Sequence, residues 1–203
     1  MIIIKDVEQG SEQWHQLRTG VVTASNFSNI MTAVKGDYSK SADKYMIKLI
    51  AQTLTGEIDE TYSNANMDRG VIMEAEARSW YEFTQSETVE QVGFVFRDER
   101  KLVGCSPDGL MRDKTLEIKC VIGSTMVTYL LADETYIVNQ YKQQVQGSLF
   151  VTGFSQCDLL IYHPAFNPIR IAVKRDDEYI RQIEISLARF LKEMNQKIER
   201  ITK

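Results

Sequence analysis

The residues of this 203-residue chain best suited to chemistry gather in one stretch. Ser106-Pro107-Asp108-Gly109-Leu110 is followed, nine residues after Asp108, by Glu117-Ile118-Lys119 inside Leu116-Glu117-Ile118-Lys119-Cys120. Side chains alternate across a strand, so Glu117 and Lys119 share one face and Ile118 points to the other. If the strand ending at Asp108 pairs with the strand carrying Glu117, two carboxylates and one ammonium meet at a point. Two carboxylates neutralise a hard divalent cation and hold it through oxygen, and a lysine beside them orients or helps deprotonate a water on that cation. Each piece also has a plain structural use, since Pro-Asp-Gly is a common hairpin turn and Glu-x-Lys is common salt-bridge material on an exposed strand. Here the surrounding strand residues Leu116, Ile118 and Cys120 are largely apolar, so an acid and an ammonium among them need a reason.

The elements that must position these residues follow from periodicity and punctuation. The first third reads as helical: Ser11 to Arg18 is a short amphipathic turn, Ser25 caps a second helix, and Ser41 caps a third that runs to Gly56. Tyr45, Met46, Leu49, Ile50, Thr53 and Leu54 form the apolar spacing of that third helix. A fourth, over Met67 to Thr84, is expected to bury Ile72, Ala75 and Phe83 and to carry Glu74, Glu76 and Arg78. One of its acids turned inward would complete a two-ion site. Thr88 to Val121 has the β-branched alternation and Gly and Pro-Asp-Gly punctuation of a short-stranded meander. Helix returns from Gly123, with Ile137, Tyr141, Val145 and Leu149 on one stripe, and two strands follow at Leu159 to Tyr162 and Ile169 to Val173. Tyr179, Ile183, Leu187, Phe190, Met194, Ile198 and Ile201 repeat at helical spacing to the end. Helices, then strands, then helices make an α/β (α+β layered) fold with a central mixed sheet flanked by helices. No repeat or linker divides the chain, and residues 1–203 read as one domain.

Composition removes several classes of function. No run approaches the eighteen apolar residues of a membrane span, and the opening Met-Ile-Ile-Ile-Lys-Asp-Val-Glu has no basic leader before a long apolar stretch, so a cytoplasmic protein is expected. Three cysteines without a CxxC spacing cannot build a disulfide framework or a four-thiolate site, and two histidines exclude a multi-histidine zinc centre. Lys and Arg number 24 against 28 Asp and Glu, a net charge of −4 that gives no bulk attraction to phosphate. Nucleic-acid binding would need a local basic surface or a metal-filled site.

The pattern Pro107-Asp108 … Glu117-Ile118-Lys119 resembles the PD-(D/E)xK nuclease motif, and a wider set of segments resembles the bacteriophage lambda exonuclease family, the YqaJ-type viral recombinases. The segments are Val7-Glu8-Gln9-Gly10, Trp14-His15-Gln16-Leu17-Arg18-Thr19-Gly20 with Thr23-Ala24-Ser25, Arg69-Gly70-Val71-Ile72-Met73-Glu74, the two acidic motifs, and Gln144-Val145-Gln146 with Val151-Thr152. They occur in the family's order and span almost the whole chain.

The resemblance implies a restriction-endonuclease-like core and a 5′-to-3′ double-stranded DNA exonuclease that leaves 5′-mononucleotides and 3′ single-stranded tails for recombination. It implies that Asp108, Glu117, Glu74 and the backbone carbonyl of Ile118 bind two Mg²⁺ ions, with Mn²⁺ substituting, that Lys119 assists the attacking water and that Gln144 lies nearby. Arg18 and Ser25 match the positions that grip the terminal 5′-phosphate, an assignment that suits the planar fork of arginine and a hydroxyl beside free backbone N–H groups. Met67 falls where the family places an apolar wedge at the duplex end. Trp14 reads as a core residue and His15 as a structural one, and residues 121–139 carry no assigned DNA contact. The implied partners are duplex DNA ends, a single-strand annealing protein and two further copies of the chain in a ring-shaped trimer. The alternatives on the same core are a restriction-type or junction-resolving endonuclease and a non-catalytic DNA-binding protein. The iron–sulfur cluster carried by one version of the superfamily needs four cysteines, one more than this chain has.

Overall fold

The computed structural model describes residues 1–32, 37–57 and 65–203, with the backbone alone at 65–69 and 71. Eight strands within these residues form two four-stranded sheets rather than one. The first joins β1 (Ile2–Ile4), β3 (Phe94–Phe96), β4 (Val103–Cys105) and β2 (Val22–Thr23) in that order. The second joins β5 (Gly109–Leu110), β6 (Lys114–Cys120), β7 (Gln156–Tyr162) and β8 (Ile169–Lys174). Both are mixed: β2 runs parallel to β4 and β6 parallel to β7, while the other pairs are antiparallel. The expected meander is therefore split. It breaks at Ser106-Pro107-Asp108, where proline offers no N–H to continue the β4 ladder and the chain leaves one sheet for the other.

The helices are α1 (Glu12–Arg18), α2 (Phe27–Ile30), α3 (Ala42–Thr55), α4 (Ala65–Gln85), α5 (Gly123–Leu131), α6 (Glu134–Thr152) and α7 (Asp177–Thr202). Parallel pairing of β6 with β7 requires a long crossover, and α5 and α6 supply it. Both faces of the second sheet are thereby covered, and β7 reads as the near-continuous apolar run that such strands need. On one face Leu116, Ile118, Leu160 and Tyr162 pack against Met73, Ala77 and Tyr81 of α4. On the other, Leu159, Ile161, Ile171 and Val173 pack against Met126, Ile137, Val145 and Leu149. The strand alternation of β6 consequently turns Glu117 and Lys119 toward α6. A further cluster seals α7 onto α3 through Ile183, Leu187, Phe190 and Met194 against Tyr45, Met46 and Leu49, with the Tyr45 and Phe190 rings stacked at 5.8 Å.

Four sequence expectations are corrected. The buried stripe of α4 is Met73, Ala77 and Tyr81, whereas Ile72 and Phe83 are exposed and Ala75 faces solvent. The reason is polar: the Tyr81 hydroxyl reaches the buried carboxylate of Asp158, a bond that phenylalanine could not make. Ser25 caps no helix; it lies within a 3₁₀ turn at Ala24–Asn26, and α2 starts at Phe27. Thr53, Leu54 and Ile201 are exposed at the far turns of their helices, beyond the reach of the packing. Ser41 does stand at the start of α3, but its hydroxyl bonds the Asn29 carbonyl instead of the helix. Gly56 ends α3 in the left-handed conformation at φ 71°, as a C-terminal glycine should.

Gly147 explains how α6 lies so close to the Ala24–Asn26 turn. A Cβ at that position would stand 2.8 Å from Phe27 Cδ2 and 3.0 Å from Ala24 Cβ. Helix propensity alone favours Gly147→Ala by about 1 kcal/mol. Overpacking against a fully buried phenylalanine costs about 1–3 kcal/mol, and the steric effect wins. The expected outcome is a melting temperature lowered by several degrees in a thermal scan, with Gly147→Ser no better; a rise in Tm would contradict the close approach.

Candidate active site

Asp108 sits at the seam between the two sheets, one residue before β5. Its backbone N–H donates to the Leu116 carbonyl at 3.1 Å, and its carboxylate Oδ2 accepts the Ile118 N–H at 2.6 Å. Hairpin pairing of β5 with β6 thus brings the first acid against the strand that carries the second. Along β6, Lys119 Nζ lies 2.7 Å from Glu117 Oε1 and donates to Gln144 Oε1 at 3.0 Å, while Gln144 Nε2 donates to that same Glu117 oxygen. The three side chains close a triangle between β6 and α6. Its acid is almost dry, with 3% of the Glu117 side chain exposed against 24% for Lys119.

Glu74 reaches the site from α4 and is paired with Arg78 one turn further on. The same arginine donates from Nε to the Asp108 carbonyl at 3.1 Å, so it ties the helix-borne acid to the hairpin acid. Burial, then the charges of Glu117 and Glu74, push the Asp108 carboxyl well above the usual carboxylate range. Glu74 is raised as well, by burial first, with Arg78 opposing and Glu117 adding to it. Lys119 lies above the ordinary ammonium value: burial works against the charge, and Glu117 and Asp108 outweigh it. A cleft of about 270 Å³ opens at this place, lined by Gly70, Glu74, Ile118, Lys119, Cys120, Val121 and Tyr141. A larger hollow of about 460 Å³ along α7, at Glu193, Lys197 and Arg200, touches none of these groups.

The donor set is all oxygen, and burial together with the charge of Glu117 raises the pKa of both Asp108 and Glu74, which is the electrostatic condition a hard dication relieves. Among the described residues no three His, Cys, Asp or Glu side chains close into a ready metal shell. Arg78 holds Glu74, while Lys119 and Gln144 hold Glu117.

Arg18 occupies the last turn of α1. Its guanidinium lies 3.8 Å over the Trp14 ring and donates to Ser106 Oγ at 3.2 Å. Burial lowers its pKa to about 10, and the groups that oppose this are a phenol, Tyr45, and a thiol, Cys105, rather than a carboxylate. Trp14 is therefore not a core residue as expected; it is half-buried beneath Arg18, and its Nε1 donates to the Gly93 carbonyl at 3.0 Å and Ser106 Oγ at 2.9 Å. His15 stands edge-on to Trp14, in keeping with a structural part. Ser25 is exposed, with its hydroxyl 3.3 Å from Thr23 Oγ1. Met67 falls within α4, but its side chain lies outside the described residues.

The structure adds residues that spacing did not single out. Gln9 Nε2 bonds both the Val92 carbonyl at 2.8 Å and the Pro107 carbonyl at 3.0 Å. The Ser106 hydroxyl has partners 88 and 92 positions away, a relation that no local pattern carries. Tyr141, which helical spacing places on an apolar stripe, lines the cleft, with Lys119 Nζ 5.5 Å from its ring and its hydroxyl 3.0 Å from that of Tyr129.

Solved structures resemble the chain over nearly its full length. An alkaline exonuclease (LHK-Exo) from Laribacter hongkongensis is 32% identical, covering 95% of this chain and 96% of that one with a TM-score of 0.81. LHK-Exo in complex with dAMP gives 31% identity, 94% and 96% coverage and a TM-score of 0.81. A phage-related exonuclease from Haemophilus somnus 129PT, at 18% identity, 89% and 96% coverage and a TM-score of 0.68, shares the fold. Comparison with curated protein sequences gives no match. Residues 13–155, which hold Arg18, both acidic motifs and the Gln144 helix, match the YqaJ-like viral recombinase domain, and this chain belongs to that family.

Proposed function

We propose that this chain is an exonuclease that resects double-stranded DNA from 5′ ends, releasing 5′-mononucleotides and leaving 3′ single strands for recombination. The observation that carries the reading is the gathering of Asp108, Glu117, Glu74, Lys119 and Gln144 around β6, beside a cleft that Glu74 and Lys119 line, in a chain of this family. The alkaline exonuclease activity of the Laribacter relative and its complex with a deoxynucleoside monophosphate support it.

Asp108, Glu117, Glu74 and the Ile118 carbonyl would hold divalent cations, two Mg²⁺ in this reading, with Mn²⁺ able to substitute. Bound there, the ions supply Lewis acidity toward the scissile phosphate and favour ionisation of an attacking water. Lys119, kept protonated by its acidic neighbours, donates toward that water and orients it, and Gln144 fixes the lysine by accepting from it. Arg18 and Ser25 take the terminal 5′-phosphate. The arginine suits that task because it is half-buried with no carboxylate paired to it among the described residues, and so retains unspent attraction for an anion. Met67 would meet the end of the duplex. A net charge of −4 makes encirclement a better source of processivity than bulk attraction, in keeping with a ring-shaped trimer working in the cytoplasm beside a single-strand annealing protein.

The raised pKa of Asp108 has a sign that can be tested. A carboxyl whose folded pKa exceeds its unfolded value, near 3.9, favours folding least above the folded pKa, so its ionisation costs stability at neutral pH. Without metal, Asp108→Asn should melt above the wild type at pH 7.5, the advantage shrinking as pH falls toward 4. Added Mg²⁺ should raise the wild-type Tm and leave the Asn variant unmoved. Lys119→Ala should keep the Mg²⁺-dependent shift while losing cleavage. An Asn variant that melts lower and still responds to Mg²⁺ would remove Asp108 from the metal site.

Arg18→Ala should act on ends rather than on bonds. A charge-assisted hydrogen bond to phosphate contributes about 1.5–3 kcal/mol, so the rate advantage of 5′-phosphorylated over 5′-hydroxyl duplex should fall by roughly ten- to a hundredfold. Equal slowing on both substrates would make Arg18 a general contact.

The whole reading is tested on linear and covalently closed duplexes, with light scattering on the same sample. The expected results are a trimer, digestion of the linear substrate that survives competitor DNA added after initiation, and resistance of the circle. A monomer that nicks closed circles would make the protein an endonuclease on the same metal site.

A further inference from the structure

Arg78 stands where the helix-borne acid meets the hairpin-borne one. It lies four residues beyond Glu74 on α4, the spacing at which side chains of one helix face each other. Its Nη2 pairs with Glu74 Oε1, and its Nε donates to the Asp108 carbonyl at 3.1 Å. The Gln91 amide closes on the same guanidinium. Only 12% of the Arg78 side chain is exposed, against 33% for the acid it holds. Enclosing a cation costs desolvation, which is offset only while its donors are met.

The two main contacts do different things. The first places a charge on a carboxylate: burial raises the Glu74 pKa, and Arg78 opposes that rise more strongly than Lys119 does. A dication drawn to the same carboxylate meets a cation already there. The second contact joins two segments. The carbonyl that Arg78 grips belongs to Asp108, whose own carboxylate is fixed on the Ile118 N–H at 2.6 Å. One planar fork therefore relates the Glu74 side chain to Asp108.

We propose that Arg78 is a positioning residue with two separable effects. Its charge competes with a divalent cation for Glu74 and so sets how much of that cation the site requires. Its fork holds Glu74 and Asp108 in the mutual position that cleavage needs. This rests on the reading that Glu74 and Asp108 hold the divalent cations. A neutral side chain at 78 would leave the acids with one cation fewer, so the site would attract a dication more strongly while Glu74 was free to turn. Lysine would restore the charge without the fork, because an ammonium is a point charge on a flexible stem. An arginine that served the fold alone would behave otherwise, since its loss would weaken metal binding and cleavage together.

The test uses the full-length wild type, Arg78→Met, Arg78→Gln and Arg78→Lys. Metal affinity is read without DNA, by calorimetry with MgCl₂ and MnCl₂ and by thermal scans over a MgCl₂ series. The cleavage rate is read on linear duplex at saturating Mg²⁺. Arg78→Met is expected to bind Mg²⁺ roughly three- to tenfold more tightly than the wild type, because a competing charge is gone. It should also melt lower without metal, gain more Tm from Mg²⁺ and cut roughly ten- to a hundredfold more slowly, the effect of a misplaced group on rate. Arg78→Lys should bind Mg²⁺ as the wild type does and cut as slowly as Arg78→Met. Should Arg78→Met not fold, Arg78→Gln carries the affinity measurement, since it is neutral and still donates hydrogen bonds. A neutral variant that binds Mg²⁺ no more tightly than a metal-binding wild type overturns the role of the charge. Wild-type rates in both Arg78→Met and Arg78→Lys overturn the role of the fork. A wild type that shows neither binding heat nor a Tm shift overturns the metal reading of Glu74 and Asp108, and the inference with it.

Discussion

Mutual repulsion of acids in a dry place is the constraint from which the rest of the structure follows. Asp108 is desolvated beside Glu117 and Glu74, and the protein offers Lys119 and Arg78 in partial compensation. Such an arrangement survives only if its geometry is imposed by parts that cannot relax. Here the imposing parts are backbone: the Ile118 N–H and the Leu116 carbonyl grip Asp108 through the β5–β6 hairpin. The parallel pairing of β6 with β7, covered by α4 and α6, keeps Glu117 almost dry.

Asp158, on the opposite face of the same sheet, shows what a satisfied buried acid looks like. It is fully enclosed and takes hydrogen bonds from Tyr81, from Lys114 at 3.1 Å and from Gln156 at 2.8 Å. Its burial would raise the pKa, but those bonds win and hold it below the ordinary value. Two acids of the same half of the molecule, on either side of β6, thus respond to burial in opposite directions. The difference lies in the count of donors: Asp158 lowers its energy by being charged and strengthens the fold, whereas Asp108 is left short of positive charge and long of negative neighbours. A group that the fold leaves short in this way is a candidate for work on a ligand that completes it.

The same logic reconciles an acidic chain with an acidic polymer. Net charge describes the far field, while recognition of an end is decided within a few ångströms, where Arg18 lies against Trp14 with no acid paired to it among the described residues. Placing that cation and Asp108 on either side of the sheet-to-sheet seam lets one short run, Ser106-Pro107-Asp108, serve both ends of the site.

The sequence by itself determined the strand that bears Glu117 and Lys119, the acid of the Pro-Asp-Gly turn, the helix with Gln144 and the amphipathic α7. Each of these depends on neighbours a few residues apart, where alternation, helical spacing and turn chemistry act directly. The family's motifs added Glu74, Arg18 and Ser25, which no period distinguishes from surface residues. Tertiary structure alone decided that the strands divide between two sheets, because the break at Pro107 matters only once β4 and β5 find different partners. It also decided which face of α4 is buried, since that turns on a tyrosine hydroxyl meeting Asp158 from 77 positions away. The clasp of Trp14 and Arg18 on Ser106, the bond from Gln9 to Pro107 and the bridge of Arg78 between two acids belong to the same class. They are hydrogen bonds between segments distant in the chain, set by how closed layers meet, and local pattern carries no trace of them.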